Sequence, residues 1–307
     1  MKGPLMALLL SVLNLLLVLL VAPLFDGVTR KITAVVQSRK GPPVTQSYMD
    51  LMKLLIKEDI EVGDSPLLQR FSALLSFAAI LFVALLIPMG GSAPLSGYAD
   101  SILLVYLLTL AGLSVLLAGL AAGSTYSLLG MSREMMAMMM LEPLMAIAVI
   151  ISAVHADSLV LDAVFGGAVY IAAGSPWSGI LILGVILFGL QAFVGRVPFD
   201  TTEAETEIME GPLVEYSGPK LALFKYARMA KMFVYTALFT ALFVPPLQTG
   251  NYLTDLLVFV AEQGALMVLV TVIAATHARY RIDHVLRYYV VLLVLALLAL
   301  TMAMLGL

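Results

Sequence analysis

The chain has 307 residues, of which 62% are hydrophobic and 12% charged, with a net charge of −3 and a mean hydropathy of +1.04. Soluble domains carry about 25% charged residues, so a water-soluble fold is excluded and an integral membrane protein remains. There is no cysteine, which excludes disulfides and cysteine-ligated iron–sulfur clusters from this chain.

Long apolar runs separated by short polar loops fit helices, since a barrel would show alternating segments of about ten residues. A bilayer core needs about 20 apolar residues per helix. Eight runs qualify: 5–25, 67–88, 101–122, 134–155, 177–195, 220–245, 256–276 and 287–306. The first is preceded only by Lys2 and followed by no small-residue cleavage site, so it is expected to be a span and not a signal. After it, Gly41-Pro42-Pro43 ends one element and a second begins near 46–60. There Tyr48, Leu51, Met52, Leu55 and Ile56 share one side, and Asp50, Lys53 and Lys57 the other. This is the pattern of an amphipathic helix at the membrane surface. It is either a plain interfacial anchor or a roof over a cavity that opens toward a soluble partner.

Span four carries Glu134 and Glu142. Glu142 lies about 13 Å beyond Arg133 at 1.5 Å per residue, near the middle of a hydrocarbon core of about 30 Å. A charge there costs roughly 2.5–3.5 kcal/mol or more and faces a bundle interior or water. Pro143 follows and loosens the local backbone hydrogen bonding. Glu134 is about 80° away around the helix, so both carboxyls can look into one polar seam as part of an ion path. The bland alternative is a protonated Glu142 hydrogen-bonded in the core. The next run, 158–173, is Gly-rich, short and broken by Asp162; it predicts a short outer-face or re-entrant segment and not a ninth span.

Between spans five and six lies a stretch holding Asp200, Glu203, Glu205, Glu207, Glu210 and Glu215, six of the chain's 20 acidic residues. On a helix over 200–210, Asp200, Glu203, Glu207 and Glu210 would share one face and Glu205 would point away. Like charges so arranged raise one another's pKa, which suits a proton relay; the same face could equally dock a basic partner. Span six carries Lys225, Arg228 and Lys231, with Lys231 about 16 Å past Lys220. Such cations need carboxylates or water, although Lys225 and Arg228 are also placed to snorkel to the headgroups. Glu262 in span seven is a weaker candidate. The histidines, His155, His277 and His284, share no span, which speaks against a bis-histidine haem. There is no phosphate or dinucleotide fingerprint, and nothing that points to nucleic acid.

With loops alternating, all but Lys2 of the 17 cations fall beside the loops after spans one, three, five and seven. The positive-inside rule makes that side the cytoplasm. Both termini are then outside, loops 26–66 and 196–219 are cytoplasmic, and the chain is one eight-span, all-α domain of the plasma membrane.

The stretch Arg196-Val-Pro-Phe-Asp-Thr-Thr-Glu-Ala-Glu-Thr-Glu, continued by Glu210-Gly-Pro-Leu-Val-Glu-Tyr-Ser-Gly218, resembles the signature of the respiratory complex I membrane component known in mitochondria as subunit 1. It is still more similar to the counterpart in group 4 membrane-bound nickel–iron hydrogenases and formate hydrogenlyase. The first loop, Ser38-Arg-Lys-Gly-Pro-Pro-Val-Thr-Gln-Ser-Tyr-Met-Asp-Leu, looks like the hydrogenase type. It lacks the longer Gly-Pro-Asn-(Arg/Lys)-Val-Gly-like stretch usual in complex I. Ser132-Arg-Glu-Met resembles the family's entry into span four. The resemblance covers nearly the whole chain.

It implies a coupling subunit without a redox centre or cofactor of its own. Such a subunit anchors a peripheral arm of iron–sulfur and hydrogenase-like large subunits at the cytoplasmic face. It passes the energy of electron transfer, from ferredoxin, to antiporter-like membrane subunits that move H⁺ or Na⁺. Iron–sulfur clusters and a nickel–iron centre belong to the partners. The residues carried over are Asp200, Glu203, Glu205, Glu207, Glu210 and Glu215 in the loop, with Glu134 and Glu142. Two rivals stand beside this reading. One is the subunit 1 counterpart in a quinone-reducing complex I, an NADH dehydrogenase, against which the altered 41–43 loop argues. The other is a stand-alone secondary ion transporter, a class that often shows internal repeats; no convincing repeat is visible in this sequence.

Overall fold

The computed structural model describes residues 4–61, 65–91, 93–171, 177–245 and 251–306. Among them no strand forms, apart from an isolated bridge between Asp100 and Val160. Helix α1 runs Pro4–Val36 and passes through Pro23 without ending. At 1.5 Å per residue it is about 50 Å long, so the start of the loop expected at 26 is instead helical. Helix α2, Gln46–Ile56, is the short amphipathic element. Helix α3 is Pro66–Leu86 and α4 is Ser101–Ala122. Asp100 caps α4 by accepting from the Leu103 amide at 2.8 Å, which satisfies one of the free donors of its first turn.

Gly123 (φ 66) ends α4 and Ser124 caps α5, Thr125–Ala156. The loop expected before span four is thus a two-residue turn, and Arg133 lies inside α5. In the run 158–173 the described part forms two four-residue helices, α6 Leu161–Val164 and α7 Ala168–Ile171. Neither can cross a bilayer; residues 172–173 lie outside the described residues. Then follow α8 Trp177–Phe193, α9 Glu205–Ile208, α10 Gly218–Phe243, α11 Tyr252–Thr276 and α12 Ile282–Met304.

Six of these helices are long and apolar enough to cross a membrane: α1, α3, α4, α5, α11 and α12. Sequence runs predict eight. The other two are α8, which is apolar but has 17 residues, and α10, which has 26 residues but carries Lys220, Lys225, Arg228 and Lys231. Helix α10 is central all the same. From Met232 to Phe243 it is buried throughout, and its side chains join one core cluster with α1, α3, α4, α5, α8, α11 and α12. Phe233 meets Phe25 and Phe259 edge-on at 5.4 and 6.1 Å. Gln263 of α11 donates to Thr240 of α10 at 2.9 Å, the kind of polar contact that adds to van der Waals packing where lipid supplies little hydrophobic drive. Of the cations in its first half, Lys220 pairs with Asp59 and Glu61 in the connection between α2 and α3, while Lys225 and Arg228 meet the loop between α8 and α10.

Candidate functional site: an acid loop over an intramembrane cavity

The loop is pinned at its start. Gln191, near the end of α8, donates to the carbonyls of Val197 and Val270. Phe199 is buried among Tyr280, Tyr288 and Tyr289, at centroid distances of 5.8, 4.8 and 5.7 Å. That wedge fixes Asp200 beside the end of α11 and the start of α12.

The four-carboxylate face expected on a helix over 200–210 does not form. The only helical turn there is α9, and the chain leaves it through Met209 (φ 57) and Gly211 (φ 55). Asp200 and Glu203 precede the turn, so the spacing that would align them with Glu207 and Glu210 is lost. Asp200, Glu203, Glu207 and Glu210 instead meet cations of other elements. Asp200 pairs with Arg279 at 3.1 Å and more loosely with Arg228 at 3.9 Å. Glu203 pairs with Arg228. Glu207 accepts from Arg133 at 2.7 Å, and Arg133 also reaches the Thr201 carbonyl at 3.1 Å. Glu210 lies 3.8 Å from Lys225. Glu215 is half-buried and, among the described residues, has no cation within 4 Å. The side chain of Glu205 lies outside the described residues.

Gly211 holds this path together. A Cβ there would lie 2.2 Å from the Thr202 carbonyl oxygen, at a φ that L side chains rarely adopt. Gly211→Ala is expected to cost about 1–3 kcal/mol. Its signature is faster protease cleavage within 200–215, read against intact α10.

Beneath the loop is a cavity of about 130 Å³, room for several waters. Its charged lining is Glu134 and Glu142 of α5, Asp200 and Glu203 of the loop, and Arg228 and Lys231 of α10. Apolar side chains of α3, α4, α5, α8, α10 and the loop make up most of the remaining wall. Lys231 Nζ stands 5.6 Å from the ring centroid of Tyr235, a cation–π distance. With every group ionised, four carboxylates face two cations here. Burial is the largest influence on Asp200 and raises its pKa; Arg228 and Arg279 pull it back while Glu203 pushes it up, leaving it at about 6. Asp200 therefore changes charge close to neutral pH.

The cavity thus gathers six of the residues singled out in the sequence and leaves Glu207, Glu210, Glu215 and Lys225 outside it. Sequence reading missed Tyr235 and the partners Arg133 and Arg279. It also missed Asp26, a buried carboxylate in α1, although the Asp26–Arg30 spacing of four is visible in the chain. Helix α2 is seated by Ser47 and Leu51, which are buried, while Met52, Leu55 and Ile56 are exposed. No residue of 41–60 lines this cavity.

Residues 8–304 match the family model described as NADH dehydrogenase, and the chain is 32% identical over 288 residues to an NADH-quinone oxidoreductase subunit of Geobacter sulfurreducens, covering 84% of this chain and 82% of that one. The chain belongs to the NADH dehydrogenase family of complex I subunit 1. Within that family, identity is 33% over 271 residues to hydrogenase-4 component C of Escherichia coli, covering 86% of each. Formate hydrogenlyase subunit 4 of the same organism is 28% identical, with 91% and 92% covered. Among solved structures, a chain of the membrane-bound sulfane sulfur reductase, an archaeal respiratory membrane complex, superposes with a TM-score of 0.85 at 25% identity. The match covers 97% of this chain and 99% of that one. This complex I subunit 1 family member therefore shares its fold, almost end to end, with a component of a respiratory membrane complex, and the acid loop and α5 both lie inside the matched region.

Proposed function

We propose that this complex I subunit 1 family member is the non-redox coupling subunit of a multi-subunit oxidoreductase of the hydrogenase or sulfane-reductase type. It anchors a peripheral arm of iron–sulfur and hydrogenase-like subunits at the cytoplasmic membrane face and couples electron transfer, from ferredoxin, to H⁺ or Na⁺ movement through antiporter-like neighbours. Clusters and any nickel–iron centre belong to those partners. Helices α8 and α10 complete eight spans, with both termini outside. What supports α10 as a span is the pairing of its cations with the loop, Arg228 with Glu203 and Lys225 with Glu210, which relieves the cost of burying them. The whole chain acts as one membrane domain.

The observation that carries this reading is the single cavity shared by loop carboxylates and by Glu134, Glu142 and Lys231 of the membrane helices. A charge change at the arm-facing surface thereby adjoins Glu142, deep in α5. Glu207, Glu210 and Glu215 lie outside the cavity lining and form the outer part, available to the arm.

The test separates a structural pair from a docking surface. Glu207→Lys sets two cations against each other at Arg133 and is expected to weaken both the loop and arm attachment. Combining it with Arg133→Glu restores the pair. If the arm reads the loop charge, attachment measured by co-purification stays low in the double variant. Full recovery would reduce Glu207 to a local brace and remove the loop from the docking surface. Quinone reduction by the purified assembly would instead assign it to complex I.

A further inference from the structure

The cavity makes no use of Asp26. This residue sits toward the loop end of α1 and is 6% exposed. Three donors converge on its carboxylate: Arg30 Nε at 2.9 Å, Arg196 Nη2 at 2.8 Å and Ser47 Oγ at 2.9 Å. They come from three elements, namely α1 itself, the start of the acid loop and α2. Arg30 continues to Asp50 of α2 at 3.0 Å, and Gln46 donates to the other oxygen of Asp50 at 2.9 Å. Two carboxylates and two guanidiniums balance one another. A buried charge of this kind is tolerated only while its partners stay in place. The backbone is equally close. A Cβ on Gly27 would lie 1.9 Å from the Val44 carbonyl oxygen, so the entry to α2 rests directly on α1.

From Arg196 the connection runs on into the site. The Phe199 amide donates to the Arg196 carbonyl at 2.9 Å, closing a tight turn whose next residue is Asp200. Phe199 is wedged among tyrosines, so the turn moves as a unit or not at all. We infer that Asp26 is a positioning residue that ties α2 to the acid loop, so that a displacement of α2 reaches Asp200 at the cavity through Arg196. This rests on the proposed function in one respect: the displacement originates in a peripheral arm bearing on α2.

The absence of cysteine makes the joint measurable without background. Met49 on α2 and Met209 after α9 are 59% and 57% exposed, and spin labels at Met49→Cys and Met209→Cys report the distance between the two elements in the full chain. The expected result is one narrow distance in the parent and in Asp26→Glu, and a broadened distribution in Asp26→Asn. In the whole complex, Asp26→Asn is expected to lower ions moved per electron by about fivefold, a usual size for coupling between sites, with electron transfer retained. Asp26→Glu restores the ratio.

An unchanged distance in Asp26→Asn overturns the inference. So does a broadened distance with an unchanged ion-to-electron ratio, which would make Asp26 a pin with no part in coupling. If Asp26→Asn does not assemble, Ser47→Ala with Asp50→Asn loosens the same joint from the α2 side and must broaden the same distance; an unaltered distribution sinks the idea. Glu142→Gln serves as the reference. Should it too leave translocation intact, the functional reading has failed, and the distance measurement alone judges the joint.

Discussion

Glu142→Gln is expected to leave the assembled complex transferring electrons while ion translocation falls by at least about 100-fold, the lower end of what a positioned acid–base group contributes. The substitution keeps the size of the side chain and its capacity for hydrogen bonds. It removes the charge and the exchangeable carboxyl proton. Glu142 lines the same cavity as Glu134 and Lys231, so its loss interrupts a group of carboxyls within α5's reach and not an isolated one. The local backbone is already open, because Pro143 lacks the amide that would bond the Met139 carbonyl one turn earlier. Co-purification of the arm reports assembly, and ion uptake into reconstituted vesicles, read beside electron transfer, reports coupling. Glu262→Gln is the control, since Glu262 of α11 is half-buried but lies away from the cavity lining; its translocation should match the parent. Full pumping by Glu142→Gln would end the case for an ion path through α5.

Much of this arrangement was legible along the chain, and what was not has a common cause. Apolar runs of about 20 residues are local signals, and every run read as a span is occupied by a helix. The common seam of Glu134 and Glu142, which line one cavity, follows from helix turn. Helix ends were less legible. Helix α1 continues eleven residues beyond its apolar run, to Val36, because Asp26 and Arg30 bond one another along it, and α5 begins early because Ser124 caps it. The acid loop was misjudged for a different reason. Its periodicity fits a helix, but partners brought from far away in sequence compete for each carboxylate. Arg133 reaches Glu207, Arg279 reaches Asp200, and Arg196 reaches Asp26 across 170 positions. No local spacing encodes those pairs. Asp26 was overlooked because a lone carboxylate at the end of an apolar run looks like an interfacial residue until its three donors are seen.

Asp200→Asn tests the other end of the cavity, and its effect is a change in pH dependence as well as in rate. Asp200 has a pKa of about 6, mainly through burial, against 3.8 for the free side chain. Between those values the folded protein holds a proton that the unfolded chain releases, so Asp200's contribution to stability is present at low pH and is lost as pH rises through about 6. Ionisation on that same rise creates the full pairs with Arg279 and Arg228. Coupled translocation is therefore expected to show an inflection near pH 6 in the parent, and Asp200→Asn to abolish it. At pH 7 the variant should turn over about tenfold more slowly, equivalent to about 1.4 kcal/mol, since Arg279 keeps a neutral acceptor but loses its counter-charge. Two neighbours give opposite signs. Arg228→Gln removes a cation that lowers the Asp200 pKa and should move the inflection upward. Glu203→Gln removes an anion that raises it and should move the inflection downward. Shifts in the reverse order, or an inflection that survives in Asp200→Asn, would place the titrating group elsewhere. The expected order would make the charge of one loop carboxyl, set jointly by the loop and by α10, the quantity that the cavity passes on.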